Sequence, residues 1–183
     1  MATQDKLQKI GLSGFRYLYF RKCWRDCLKS LIWSLLMTIF SCIAFTLSSK
    51  TTWDLLLVVL EIDLRITAPI LAFTLAGYSV IMGKVPEKLK TIATKSGLSM
   101  YQKLNTTFIA MLLATMTNLL LSVFTSILMA TDINFLLPYE CMASLINKVG
   151  LFVITMLLFY MIFTIKDLIS NLFSLGQYLQ YKG

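Results

Sequence analysis

The 183-residue sequence contains no histidine, and this absence narrows the functions that the chain can perform. Serine–histidine and cysteine–histidine nucleophile schemes need an imidazole base, so neither can operate within this chain. The sequence also lacks a glycine-rich phosphate loop, a GxSxG nucleophile turn and an HExxH zinc motif. We therefore expect no catalytic residue, no cofactor and no enzymatic activity.

Cysteines are also few, and their positions favour neither a disulfide nor a metal site. Cys23 and Cys27 precede the first apolar run, Cys42 lies within it, and Cys141 follows the third. Cys23 and Cys27 are one helical turn apart, but no histidine or acid cluster lies nearby to complete a ligand set. No metal site is predicted, and these cysteines are expected to be small helix-packing residues.

Charged residues make up 14% of the chain, whereas hydrophobic residues make up 57% and the mean hydropathy is +0.74. A globule of this size has too little interior for so many apolar side chains. Apolar runs of about 17–25 residues, the length that crosses the hydrocarbon core, account for them. The runs predict an all-α integral membrane protein with four transmembrane helices, at about 31–47, 66–83, 106–129 and 149–166.

Acidic residues are outnumbered by basic ones, 9 to 17, and the positions of the basic residues predict the topology. Seven precede the first span, five lie between spans two and three, and two follow span four, which makes 14; the other two loops hold three. Because lysine and arginine are retained in the cytoplasm, the prediction is N-in and C-in, with a cytoplasmic middle loop. The net charge of +8 then reflects topology, and no direct nucleic-acid binding is expected.

The cytoplasmic segments carry the candidate docking residues. Residues 1–30 form a basic, aromatic segment, interpreted as a membrane anchor that continues into span one, with no cleaved signal peptide expected. Lys88, Lys90 and Lys95 in the middle loop are the candidates for docking a partner, and Ser99 is predicted to cap the next helix. Residues 167–183 form a cytoplasmic tail, and residues 1–183 are predicted to be a single domain.

Three charges precede the second predicted span, and their depth decides their role. Glu61 and Arg65 are spaced i, i+4, the favoured order for an ion pair, and Asp63 lies on another face of the same helix. The preferred interpretation is an outer-face charge cluster, with Glu61 and Arg65 paired at the membrane edge and Asp63 solvated. The alternatives are an ion or proton route within the bilayer, since intramembrane charges usually mark function, or an outer recognition surface.

Polar and small residues on the spans suggest how the helices associate. In span three, Thr115, Asn118, Ser122 and Ser126 form a polar stripe that either bonds to a neighbouring helix or lines a water path; hydrogen bonding is the commoner use. Ala72, Ala76 and Gly77 give span two a face of small residues that permits close helix approach. We expect a homo-oligomer in the lipid bilayer, with a tetramer as the working stoichiometry.

The chain resembles the small four-span membrane proteins of bacterial anti-phage defence operons, and in particular the membrane subunits of the Kiwa family. The similarity lies in the basic aromatic N-terminus, the placement of the spans and the second span, "ITAPILAFTLAGYSVIMG". It implies a homo-oligomeric sensor and scaffold in the bacterial inner membrane that holds a cytosolic, DNA-binding protein partner. The alternative is a small oligomeric pore that depolarises the membrane. No functional residue is transferred by the resemblance.

Overall fold

The computed structural model describes residues 24–83, 99–130 and 140–182, and within them the chain forms four long helices. These are α1 (Trp24–Thr46), α2 (Thr52–Gly83), α3 (Met100–Ala130) and α4 (Glu140–Lys182). The predicted all-α fold is confirmed. Most of the basic N-terminal segment lies outside the described residues.

Two of the helices begin at reciprocal caps, which explains where they start. Before α3, the backbone N–H of Gln102 donates to Ser99 Oγ at 3.1 Å, and the Ser99 N–H donates to Gln102 Oε1 at 3.0 Å. Before α2, Thr51 and Asp54 exchange the same pair of bonds. Each pair satisfies two backbone donors that a helix N-terminus otherwise leaves without a partner. The predicted Ser99 cap is confirmed, and α3 begins six residues before the predicted span.

The second and fourth helices are much longer than the predicted spans. Helix α2 starts at Thr52 rather than residue 66, and continues through Pro69, whose missing N–H removes one internal hydrogen bond. Helix α4 joins part of the predicted outer loop, the predicted span 149–166 and the tail into one helix of 43 residues. The charges at 61–65 therefore lie inside a continuous helix that extends beyond them in both directions.

Helix α4 packs against each of the other three helices, and α2 also packs along α3. One apolar cluster joins α3 to α4 and contains Leu104, Phe108, Met111, Leu158, Met161 and Leu168. A second cluster joins α2 to the end of α3 and the start of α4 and contains Leu56, Val59, Leu60, Met129, Leu151 and Ile154. The apolar run "DLLLVVL" at residues 54–60 is therefore buried on one face by α3 and α4.

Helix α1 places small polar side chains inside the bundle and large apolar side chains outside it. On α1, Ser34 and Thr38 are fully buried, whereas Phe40 is 69% exposed. The two buried hydroxyls donate to carbonyls of their own helix, Ser34 to Leu31 and Thr38 to Ser34. Small polar residues between helices with large apolar residues outside are typical of helices that pack in lipid.

Three helices are long and apolar enough to cross a membrane: Leu28–Thr46 in α1, Met100–Ala130 in α3 and Ser144–Ser174 in α4. The chain is a multi-pass membrane protein whose exposed apolar side chains are suited to contact with the lipid bilayer. Helix α2, which contains Asp54, Glu61, Asp63 and Arg65, is not among these three.

Candidate functional site: a buried carboxylate between α2 and α3

The three charges at residues 61–65 of α2 lie on two faces of the helix, with Glu61 and Arg65 on one and Asp63 on the other. The Arg65 guanidinium donates to Glu61 Oε1 at 2.6 Å, with 77% and 62% of the two side chains exposed, so the predicted pair is confirmed. Asp63 is 0% exposed. The interpretation of Asp63 as a solvated acid is therefore wrong, because at 100° per residue its side chain turns from the exposed pair toward α3.

Asp63 accepts three hydrogen bonds. Its Oδ1 accepts from Thr67 Oγ1 at 3.0 Å and from Asn118 Nδ2 at 2.6 Å, and its Oδ2 accepts from Ser122 Oγ at 2.5 Å. Asn118 Nδ2 is also 3.2 Å from Thr67 Oγ1. These four side chains are each fully buried, and we call them the Asp63 network. The network therefore joins Asp63 and Thr67 of α2 to Asn118 and Ser122 of α3.

The network uses half of the polar stripe predicted on span three. Asn118 and Ser122 bond across to α2, as expected for inter-helix hydrogen bonding. Thr115 is buried but donates to the Met111 carbonyl of its own helix at 2.7 Å, and Ser126 is half-buried. The stripe therefore divides into an inter-helix pair in its middle, which donates to Asp63, and two flanking residues, of which Thr115 donates within its own helix.

One atom of the network lacks a partner. Asn118 Oδ1 is buried and accepts no hydrogen bond from the described residues. The assignment of oxygen and nitrogen in this amide follows from the network, because Nδ2 must face the Asp63 carboxylate to donate. Buried polar atoms almost always have a partner, so this oxygen marks the network as incomplete.

Contacts at the two ends of the helices show how far along the bundle axis Asp63 lies. At one end a polar layer ties the helices together: Tyr78 to Asn105 at 3.1 Å, Asn171 to Thr107 at 3.2 Å, and Ser30 to Asp167 at 2.6 Å. At the other end lies the second apolar cluster. Asp63 is 15 residues from Tyr78, about 22 Å along the helix, and 11 residues from the start of α2, about 16 Å. It therefore lies well inside both ends.

Asn118, which donates to Asp63 from α3, indicates the same position along the bundle axis. Asn118 lies 12 residues from the end of α3 and 18 from its start, and the predicted apolar run 106–129 is centred on it. Helix α3 is one of the three that are apolar enough to span a membrane. Asp63 thus lies beside the middle of the apolar part of α3.

The exposed face of α2 combines the ion pair with small residues. Glu61, Arg65, Ala68, Ala72 and Ala76 are all exposed and recur every three or four residues, and we call them the α2 outer stripe. Gly77, predicted to belong to the small-residue face, is half-buried instead, and a Cβ built there would lie 3.8 Å from the Phe108 ring. The small residues of α2 therefore lie on two faces of the helix: the alanines on the exposed face and Gly77 on the face toward α3.

Sequence reasoning missed Thr67 and the link between Asp63 and the stripe on α3. A signal was present, because the buried residues Leu56, Leu60, Asp63, Thr67 and Thr74 recur at helical spacing on α2. That spacing places Asp63 on the packed face together with its apolar neighbours. The docking candidates Lys88, Lys90 and Lys95 lie outside the described residues.

Within residues 24–83, 99–130 and 140–182, no group of three or more His, Cys, Asp or Glu residues is placed to hold a metal ion. Comparison of the chain with protein-family models, with curated proteins and with solved structures finds no match. The resemblance to Kiwa membrane subunits therefore depends on the sequence features described above.

Proposed function

We propose that the chain crosses the bacterial inner membrane four times, with α2 as the additional span and both termini in the cytoplasm. The alignment of α2 with α3 supports this arrangement: the two helices have nearly equal lengths, 32 and 31 residues, and contact each other near both ends and in the middle. The basic residues of the predicted cytoplasmic segments support the orientation. Asp63, Glu61 and Arg65 then lie within the bilayer.

The function that best fits this arrangement is that of a membrane sensor and scaffold in an anti-phage defence complex of the Kiwa kind. The chain would anchor a cytosolic, DNA-binding partner without binding nucleic acid or catalysing a reaction itself. The observation that carries this choice is the Asp63 network: the middle of the polar stripe, the candidate lining of a water path, is hydrogen-bonded to α2. A polar surface occupied in this way favours a packed scaffold over a pore within one protomer.

A homo-oligomer, with a tetramer as the working stoichiometry, accommodates the α2 outer stripe. Charged side chains facing lipid at mid-depth cost about 3 kcal/mol each on insertion scales, so an exposed pair there requires polar surroundings. A second copy supplies such surroundings, and Ala68, Ala72 and Ala76 permit its close approach. The same stripe sustains the alternative function, because copies arranged with this face inward would line a pore with Glu61 and Arg65.

The scaffold function predicts that the basic middle loop holds the cytosolic partner. Reversing the charge of Lys88, Lys90 and Lys95 to glutamate should release a DNA-binding product of the adjacent gene from the tagged chain, because the electrostatic contact is inverted. Co-purification from solubilised membranes measures the effect, with the amount of membrane-inserted chain monitored in parallel.

Lys50 and Lys148 provide the matched control, because both are exposed and both lie in the loops predicted to be outside the cytoplasm. Reversing these two charges should leave the partner bound. Equal retention of the partner by both variants would show that the middle loop is not the docking surface, and an adjacent gene encoding a nucleotide-signal synthase would favour the pore.

A further inference from the structure

Helices α1 and α4 pack antiparallel, and we call the line along which they meet the α1–α4 seam. Ser30 Oγ donates to Asp167 Oδ2 at 2.6 Å, and the ring centroids of Trp33 and Phe163 lie 6.4 Å apart. From the first contact to the second, the residue number rises on α1 and falls on α4, which establishes the antiparallel direction. The aromatic contact lies about 5 Å deeper in the apolar part of α1 than the polar one.

Two lysines flank the polar contact on one side of the seam. Lys29 precedes Ser30 and Lys166 precedes Asp167, so each lysine is turned by 100° from the contact around its own helix. Because the helices are antiparallel, these two turns lead to the same side of the seam. Both lysines are exposed, and neither forms an ion pair with a residue of the described ranges. Their positive charges are therefore available to a ligand at the membrane edge.

The same side of the seam is apolar deeper in the membrane. Trp33 follows Lys29 by four residues and Phe163 precedes Lys166 by three, so the ring contact lies on the lysine side. Further apolar residues at helical spacing continue this surface to about 15 Å from Ser30. The surface, which we call the α1–α4 apolar track, consists of Trp33, Leu36 and Phe40 on α1 and Phe159 and Phe163 on α4.

We propose that Lys29, Lys166 and the α1–α4 apolar track bind one anionic phospholipid. Its phosphate would lie at the two ammonium groups, which donate charge-assisted hydrogen bonds, and an acyl chain would follow the track. Basic groups between spans at the membrane edge, with aromatic side chains at the hydrocarbon boundary, are suited to anionic headgroups. The inference requires that α1 and α4 span the membrane, and it depends neither on α2 as a span nor on the sensor function.

The charges at the site favour an anionic over a zwitterionic lipid. Asp167 is held by Ser30 between the helices, whereas the lysines lie on one side of the seam. With all three groups ionised, the two lysines and this carboxylate sum to one positive charge, which complements the single negative charge of a phosphodiester. A choline headgroup would bring a further positive charge toward the lysines.

The order of the groups favours a lipid over a soluble anion. A free phosphate would contact the lysines and leave the apolar track unused, whereas a phospholipid uses both surfaces at once. The track begins next to the lysines and continues toward the middle of the membrane, in the same order as the headgroup and chain of a lipid. A bound lipid would join α1 to α4 beside the Ser30–Asp167 contact.

Quenching of Trp33 fluorescence by brominated lipids tests the site in the full chain. Trp24→Phe and Trp53→Phe leave Trp33 as the sole tryptophan. In phosphatidylcholine vesicles, brominated phosphatidylglycerol should quench Trp33 at a mole fraction at least about fivefold lower than brominated phosphatidylcholine with the same chains, the factor that one lysine contributes near anionic lipid. Both leaflets have the same composition, so the result does not depend on orientation. Inorganic phosphate should not relieve the quenching.

Variants separate a local site from the general attraction of a basic chain for anionic lipid. Lys29→Gln with Lys166→Gln should abolish the preference for phosphatidylglycerol. Lys50→Gln with Lys148→Gln removes the same charge from exposed lysines at the opposite ends of α1 and α4, and should keep it. Equal quenching by the two lipids, equal loss of preference in both variants, or relief of quenching by inorganic phosphate would overturn the proposal.

Discussion

Asp63→Ala is expected to destabilise the chain by about 2–5 kcal/mol. The substitution removes three hydrogen bonds and leaves the Thr67, Asn118 and Ser122 side chains buried without their acceptor. Inter-helix hydrogen bonds in membranes average about 0.6 kcal/mol, and a buried donor left unsatisfied costs about 1–3 kcal/mol, which together set this range. Denaturant unfolding in mixed micelles, monitored through the loss of helical signal, measures the change in the free energy of unfolding.

Thr115→Ala is the matched control, because Thr115 is a buried member of the same polar stripe that donates within its own helix, to the Met111 carbonyl. This substitution breaks no hydrogen bond between α2 and α3 and leaves no buried donor without an acceptor, so its effect should be small. The coupling between Asp63→Ala and Asn118→Ala in a double-mutant cycle should fall within about 0.5–3 kcal/mol, as for residues in one network. Equal stability of Asp63→Ala and Thr115→Ala would contradict the proposed role of the network in joining α2 to α3.

Replacing Glu61 and Arg65 together by leucine is expected to dissociate the homo-oligomer. The double variant removes the two exposed charges at mid-depth. Each charge costs about 3 kcal/mol when it faces lipid, so their removal also removes the need for a second copy to cover them. Leucine is also too large for the close approach that Ala68 and Ala72 permit. Light scattering in mild detergent should show a multiple of the 20.8 kDa protomer for the parent chain and a single protomer for the variant.

Exchanging the two charges provides the control for this result. The combination Glu61→Arg with Arg65→Glu keeps an i, i+4 pair on the α2 outer stripe, in the slightly less favourable order, and should keep the oligomer. A parent chain that is monomeric in mild detergent would refute the oligomer itself. An oligomer that survives the leucine pair would show that the copies meet through another surface.

The depth of the charges could not be judged from α2 alone. The boundary predicted at residue 66 followed from placing charges outside the hydrocarbon core, a sound rule for one isolated helix. Asp63 is instead stabilised by Asn118 and Ser122, which lie 55 and 59 residues further along the chain. The apolar length of α2 gives no information about partners on another helix, so α2 alone predicts that the charges lie at the membrane edge.

Local signals were more reliable where the interactions are local. The Glu61–Arg65 pair and the Ser99 cap each depend on residues within four positions, and both were predictable from spacing. The polar stripe on α3 was recognisable as a helix-bonding surface, although its partner was not. The helical spacing of Leu60, Asp63 and Thr67 could have placed Asp63 on a buried face, had the acid been treated as part of the packing pattern.

Reporter fusions test most directly whether α2 crosses the membrane, which is the central claim. If α2 is a span, a reporter active only in the cytoplasm should function after Lys95 and after Gly183 and fail after Asp132. If α1, α3 and α4 span the membrane without α2, all three positions reverse: the reporter fails after Lys95 and Gly183 and functions after Asp132. The first pattern is the predicted one, and the second would contradict the four-span arrangement and the intramembrane position of Asp63.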